Sequence, residues 1–238
     1  NNCINSKPQE KDWFGEMLQG YFLNGQDDWV ITRENQLFHA PNHGYRYEFY
    51  CDLSEYAGGN YYQQAIEIDA KVYVCPANAQ DILVLRDHQI VERIELKHEL
   101  ERPGAFCGTW KLGKDLYLIP NQYPDIVRLD TECNRVEYLT GYNDRFVKMI
   151  EGVWKIGGSC IWNNRIWLSS PNSNEVLAIQ GGSLQIEEYT IPSEDVRGTM
   201  GMVPDGENIW LLPFEGEDIV RWRPDTGETQ VYRGLPED

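Results

Sequence analysis

Apolar and polar residues alternate in short runs along almost the whole chain, the two-residue period of half-buried β-strands. Each run stops at glycine, asparagine, aspartate or proline. The 3.6-residue period of an amphipathic helix is weak throughout. Five of the runs are copies of one motif, aligned on an aromatic residue: Leu37-Phe38-His39-Ala40-Pro41, Val72-Tyr73-Val74-Cys75-Pro76, Leu116-Tyr117-Leu118-Ile119-Pro120, Ile166-Trp167-Leu168-Ser169-Ser170 and Ile209-Trp210-Leu211-Leu212-Pro213. In the fourth copy the proline comes one place later, at Pro171. Eight residues after every aromatic a polar residue opens a second β-like run, at Arg46, Asp81, Asp125, Glu175 and Asp218. A turn signal and a third run follow, and a short strand precedes each aromatic, so every unit reads as four short strands.

The aromatic-to-aromatic intervals are 35, 44, 50 and 43 residues, close to the period of a four-stranded propeller blade. A β-sandwich also alternates, but it needs no motif that returns every four strands at one internal spacing. The fold class is therefore all-β, a β-propeller of four-stranded blades, five in number. Residues 17–238 are read as one propeller domain, with units at about 17–57, 60–97, 104–141, 154–192 and 196–233, and residues 1–16 as an N-terminal extension or closing strand. The five aromatics are expected at equivalent, buried places in successive blades.

The stretch Val203-Pro-Asp-Gly-Glu-Asn-Ile-Trp-Leu-Leu-Pro, continued by Asp218-Ile-Val-Arg-Trp-Arg-Pro-Asp-Thr-Gly-Glu and Gly234-Leu-Pro, resembles the repeats of virginiamycin B lyase-like and SMP-30-like propellers. It is similar also to propellers in the sensor regions of bacterial two-component regulators. The resemblance implies the blade; a repeat motif describes packing and leaves activity open. Lyases of that kind carry a metal-binding acid and catalytic histidines where the aromatic strand ends. Here those positions hold Pro120, Ser170 and Pro213, and only His39 offers an imidazole.

Counting strands outward from the axis, the turn after the aromatic strand and the connections between units lie at one end of the blades. Long, unequal connections at 54–60, 97–105, 141–157 and 192–198 make this the loop face. Its candidate ligand-binding residues are His39, His43, Tyr62, Gln64, Asn121, Arg102, Arg145 and Arg197. The amides suit hydrogen bonding to a sugar or peptide, or calcium ligation, although tight turns select asparagine for backbone reasons as well. The three arginines, each near an acid, are either surface ion pairs or a grip for an anionic ligand. Gly108, Gly158 and Gly201, nine residues before their aromatics, let inner strands crowd together or let a ligand reach the backbone.

With 21 Lys plus Arg against 38 Asp plus Glu, the formal charge of −17 would repel phosphate backbones, so nucleic acid is not an expected partner. No apolar run approaches the roughly 20 residues of a bilayer-spanning helix, and membrane insertion is not expected. Six cysteines with no C-x-x-C pair are read as reduced, which tilts an otherwise open localisation toward the cytoplasm. No hydrolase, phosphate-loop, dinucleotide or zincin signature is present. Two functions follow: a recognition propeller for a small molecule, glycan, peptide or protein with no cofactor, or a lyase or lactonase that adds a divalent metal, calcium or magnesium, at the channel mouth. Oligomeric state is left open.

Overall fold

β-Branched and aromatic residues alternate with polar ones between tight reversals, and twenty strands result among the described residues. Several reversals are two-residue turns with both φ angles positive, the geometry that matches strand twist: Asp69-Ala70, Asp87-His88 and Asn163-Asn164. The structure, a computed structural model, describes residues 18–24, 27–44, 46–99, 104–142, 156–214 and 218–233.

The strands form five antiparallel four-stranded sheets, each a simple meander in chain order. Sheet 1 is β1 (Leu18–Asn24), β2 (Asp27–Thr32), β3 (Gln36–Ala40) and β4 (Glu48–Asp52). Sheet 2 is β5 (Tyr62–Ile68), β6 (Lys71–Pro76), β7 (Asp81–Arg86) and β8 (Gln89–Glu95). Sheet 3 is β9 (Phe106–Leu112), β10 (Asp115–Pro120), β11 (Ile126–Asp130) and β12 (Arg135–Leu139). Sheet 4 is β13 (Gly158–Trp162), β14 (Arg165–Ser169), β15 (Glu175–Gln180) and β16 (Ile186–Thr190). Sheet 5 is β17 (Thr199–Pro204), β18 (Ile209–Pro213), β19 (Ile219–Trp222) and β20 (Thr229–Tyr232). These are the five blades of a β-propeller. Among the described residues a 3-10 turn, Pro41–His43, and a one-turn helix, Ser54–Ala57, are the departures from strand and loop.

Two compact units divide the chain, Asn1–Pro103 with sheets 1 and 2 and Gly104–Asp238 with sheets 3 to 5. In the first unit Trp29, Ile31 and Leu37 of sheet 1 pack against Ala65, Val72, Val74, Leu83 and Leu85 of sheet 2. In the second, Tyr117, Ile119 and Ile126 of sheet 3 meet Ile166, Leu168, Leu177 and Ile179 of sheet 4. The opposite face of sheet 4, with Trp167, Val176 and Ala178, packs on Met202, Ile209, Leu211, Val220 and Trp222 of sheet 5. Both faces of such a sheet are apolar, which is why its strands read as nearly continuous hydrophobic runs.

One expectation is corrected by the strand order. Tyr73, Tyr117, Trp167 and Trp210 lie on the second strand of their sheets, whereas Phe38 lies on β3, the third. The equivalent residue in sheet 1 is Trp29 on β2, which pairs across to His39 as Tyr117 pairs to Arg128 and Trp167 to Ala178. Trp29 lies 44 residues before Tyr73, so the short first interval is a slip of one strand in the sequence frame. A third strand in a buried sheet carries the same alternation as a second, and the eight-residue spacing to the next strand is common to both. Trp210 also departs from expectation, being half-buried where Tyr73, Tyr117 and Trp167 are at most 1% exposed.

Candidate functional site

The frame slip relocates two of the candidate residues. In the first unit the β2–β3 turn, the 53–61 connection and the β6–β7 turn share one end of the sheets, and the β3–β4 loop that carries His43 lies at the other. His39 and His43 therefore do not gather with Tyr62 and Gln64 at the loop end, contrary to expectation. His39 stacks on Trp29 at 5.2 Å between ring centroids and meets Tyr50 edge-on at 5.2 Å. Its Nδ1 is buried without a hydrogen-bond partner among the described residues, with Asp27 Oδ2 3.9 Å away. His43, half exposed, places Nδ1 2.6 Å from Oδ1 of the buried Asp28. Both acids were missed in the sequence, because Asp27 and Asp28 open β2, the strand that the motif concealed.

At the loop end of the first unit, side-chain amides close the turns. Asn35 Nδ2 donates to the Asn60 carbonyl, and Asn35 Oδ1 accepts from the Tyr62 backbone N–H at 3.0 Å. Asn78 Nδ2 donates to Asn60 Oδ1, and its Oδ1 accepts from the Tyr61 N–H at 2.8 Å. These amides are spent on backbone, as turn chemistry requires. Tyr62 is fully buried, and its hydroxyl donates to Asp81, which also accepts from Arg93 Nε at 2.7 Å. Burial and the adjacent Asp81 carboxylate push the Tyr62 phenol above its ordinary range. Gln64 is 5% exposed on β5. Neither Tyr62 nor Gln64 offers an open surface to a ligand.

The second unit contains a cleft of about 450 Å³ over its first strands. Cys107 of β9, Gly158 and Ser159 of β13, and Met200, Gly201, Met202 and Val203 of β17 line it, with Ile156, Gly157 and Asn121 at the strand entries. This is the end that receives the long connections. Close approach of β13 and β17 shapes the wall: a Cβ on Gly158 would stand 2.9 Å from the Gly201 backbone, and one on Gly157 only 1.7 Å from the Thr199 carbonyl oxygen. Packing thus accounts for two of the three inner-strand glycines, while Gly108 has open space beside it.

Among the described lining residues the polar groups are few and specific. Ser159 Oγ accepts from Trp110 Nε1 at 2.9 Å, which leaves its own proton to give. Cys107 is reachable by solvent yet surrounded by protein; desolvation pushes its thiol up to about 11, and the S–H points at the Ile119 carbonyl, 3.5 Å away. Asn121, in the β10–β11 turn, uses its backbone N–H on the Ala105 carbonyl at 2.8 Å, and its Oδ1 is buried with no hydrogen-bond partner among the described residues. The corresponding turn amides elsewhere differ: Asn78 is satisfied at both side-chain atoms, and Asn174 donates to the Ile191 carbonyl. A buried acceptor left bare costs about 1–3 kcal/mol, so an arriving N–H or O–H recovers that penalty.

Of the remaining candidates, Arg102 and Arg145 lie outside the described residues. Arg197 is exposed and not among the lining residues; Asp195, its neighbour in sequence, pairs instead with Arg233 at 3.3 Å. The described lining side chains carry no charge. Cys107, Ser159, Met200 and Met202 were not singled out in the sequence, although each adjoins Gly108, Gly158 or Gly201, which were. Among the described residues no three His, Cys, Asp or Glu side chains gather as a metal-holding group.

No protein-family profile and no curated protein sequence matches this chain. Solved structures do. A virginiamycin B lyase from Staphylococcus aureus superimposes with a TM-score of 0.65 at 16% identity, covering 92% of this chain and 70% of the lyase. Hsv2 from Kluyveromyces lactis gives a TM-score of 0.61 at 10% identity, covering 93% and 66%. The extracellular domain of BT4673 from B. thetaiotaomicron gives 0.56 at 12% identity, covering 92% of this chain and 28% of that one. Lyase-like and regulator-type propellers are thus both fold neighbours, as the sequence motif suggested. At these identities the likeness establishes the fold alone.

Proposed function

We propose that the chain is a recognition propeller whose ligand sits in the cleft over β9, β13 and β17. The observation that carries this reading is the bare, buried Oδ1 of Asn121. Asn121 lines a cleft whose described wall is otherwise mainly thioether, aliphatic and backbone surface, a combination typical of small-ligand sites. The ligand that fits is uncharged and partly apolar, with an N–H or O–H for Asn121 and an acceptor for the Ser159 hydroxyl. A short peptide segment has all three features, and of the glycan, peptide and protein classes it is the one supported best.

The test is a thermal-shift screen of neutral blocked dipeptides against neutral disaccharides, repeated on Asn121→Ala and Arg197→Gln. The reading requires stabilisation by an apolar blocked dipeptide that Asn121→Ala abolishes and Arg197→Gln leaves intact. Stabilisation that survives Asn121→Ala, or that vanishes with Arg197→Gln, would move the site elsewhere.

A second reading, an enzyme, is favoured by one feature of the first unit. His43 is half exposed and oriented by the buried Asp28 at 2.6 Å, the arrangement of a carboxylate-held general base. Divalent metal, calcium or magnesium, belongs to that reading and would be detected by elemental analysis of the purified chain.

A further inference from the structure

The glycines of the inner strands hold equivalent places, nine residues before the second-strand aromatics of their sheets. Strand register bears this out for two of them. Gly108 pairs with Ile119 on β10 and Gly158 with Ser169 on β14, each partner lying two residues after its aromatic. Each of these glycines also faces the next sheet. Trp110 and Leu112, on the same face of β9 as Gly108, pack in the core between sheets 3 and 4. Cys160 and Trp162, on the same face of β13 as Gly158, belong to the core between sheets 4 and 5.

What meets the two glycines differs. A Cβ on Gly158 would stand 2.9 Å from the Cα and carbonyl carbon of Gly201 and 3.0 Å from its nitrogen, so the main chain of β17 runs directly against β13. A Cβ on Gly108 would find no atom of the described residues within 4 Å, its chain neighbours aside. Between sheets 4 and 5 the space beside the glycine is thus filled by main chain, whereas beside Gly108 it is open. Two walls of the cleft flank that opening. Cys107 is the neighbour of Gly108 in the chain, and Ser159 shares with Ile161 the face of β13 that turns toward sheet 3.

The polar groups beside the opening suit a peptide unit. Trp110, two residues along β9 from Gly108, donates from Nε1 to Ser159 Oγ at 2.9 Å across the step between the sheets. That bond occupies the Ser159 oxygen as an acceptor and directs its own proton away from the indole. Asn121 Oδ1, buried and without a hydrogen-bond partner among the described residues, adds an acceptor in the same cleft. A peptide main chain offers one C=O and one N–H per residue, the complement of this donor and this acceptor.

We propose that the cleft reads the main chain of an extended peptide seated against Gly108, with one peptide carbonyl accepting from the Ser159 hydroxyl. The missing side chain at 108 lets a ligand backbone approach β9 as the backbone of β17 approaches Gly158. Gly108 is then a specificity-determining residue, because any side chain there would stand where the peptide lies. The inference rests on the reading of the cleft as the ligand site and deepens it by naming the residues that select a main chain.

The test is isothermal titration of N-acetyl-Xaa-Gly methylamides, with leucine, valine or phenylalanine as Xaa, into wild-type, Gly108→Ala, Gly108→Val, Ser159→Ala and Asn121→Leu proteins. At least one probe should bind the wild type. Added carbons at 108 should weaken it by about fivefold or more for Ala and about tenfold or more for Val, the usual effect of overfilling a packed site. Ser159→Ala should weaken it by about three- to tenfold, the worth of one hydrogen bond. Circular dichroism and melting check the fold, and the glycine variants should melt no lower than wild type, since glycine weakens a strand interior. Should Gly108→Val misfold, Gly108→Ala and Ser159→Ala carry the test. Wild-type affinity in the 108 and 159 variants, with binding lost in Asn121→Leu, overturns the main-chain seat and leaves the cleft reading standing. Failure of every probe to bind the wild-type chain overturns both.

Discussion

At the scale of single residues, the structure separates groups that are exposed from groups that are available. Cys107 is solvent-reachable, but its thiol, pushed up to about 11, is almost wholly protonated at neutral pH. Compared with an ordinary cysteine thiol at 9.0, its thiolate fraction is lower by about 100-fold, because the ionised fraction of a weak acid falls tenfold for each step in pKa. Alkylation at pH 8 should accordingly be far slower at Cys107 than at the exposed Cys133, with the two converging on denaturation, as peptide mapping after timed iodoacetamide treatment would show. The linkage runs the same way: because the folded state holds this proton more tightly, its contribution to stability is complete below pH 9 and is lost as pH rises toward 11. Native-state alkylation of Cys107 as fast as that of Cys133 would contradict this. Tyr62 is the opposite case, a candidate ligand residue that the fold consumes. Tyr62→Phe removes the donor to the buried Asp81 and should cost about 1–3 kcal/mol in chemical denaturation while leaving cleft binding unchanged.

At the scale of the strand and sheet, equivalence of position does not mean equivalence of energy. Trp167 is sandwiched between sheets 4 and 5, so Trp167→Ala should destabilise by about 3–5 kcal/mol. Trp210, half exposed and held by a hydrogen bond from Nε1 to Asp205 at 2.7 Å, should cost about 1–2 kcal/mol when replaced by Ala, because only part of its surface leaves water. Urea titration of the two variants checks the ordering, and equal losses would mean that both rings are enclosed in solution. Sheet count, strand number and the two-residue period were legible in the sequence because all are set by alternation and turn chemistry, which act locally. The frame of the first blade was not. Phe38 imitates the second-strand aromatic in every local respect, and only the pairing of β2 with β1 shows that Trp29 holds that place. That one-strand error carried His39 and His43 to the wrong end. The cleft was half legible: Asn121 and the three inner-strand glycines were marked, but Cys107, Ser159 and Met200 gain their meaning only from neighbours more than forty residues away in the chain.

At the scale of the whole molecule, the chain is an acidic all-β protein of five blade sheets whose fold neighbours include both lyase and regulator propellers. The fold is shared across those functions, so the site must decide between them. Its described lining is neutral, a buried acceptor without a partner among the described residues is Asn121 Oδ1, and part of its wall is backbone brought close by Gly157 and Gly158. The most direct measurement is isothermal titration of the strongest-binding blocked dipeptide into wild-type, Asn121→Asp and Asn121→Leu proteins. Asn121→Asp keeps an acceptor at that place and should bind within a few-fold of wild type, whereas Asn121→Leu should weaken binding by about tenfold or more, the usual worth of a hydrogen bond to a buried group. Wild-type affinity in Asn121→Leu would show that the cleft is not where this protein recognises its ligand.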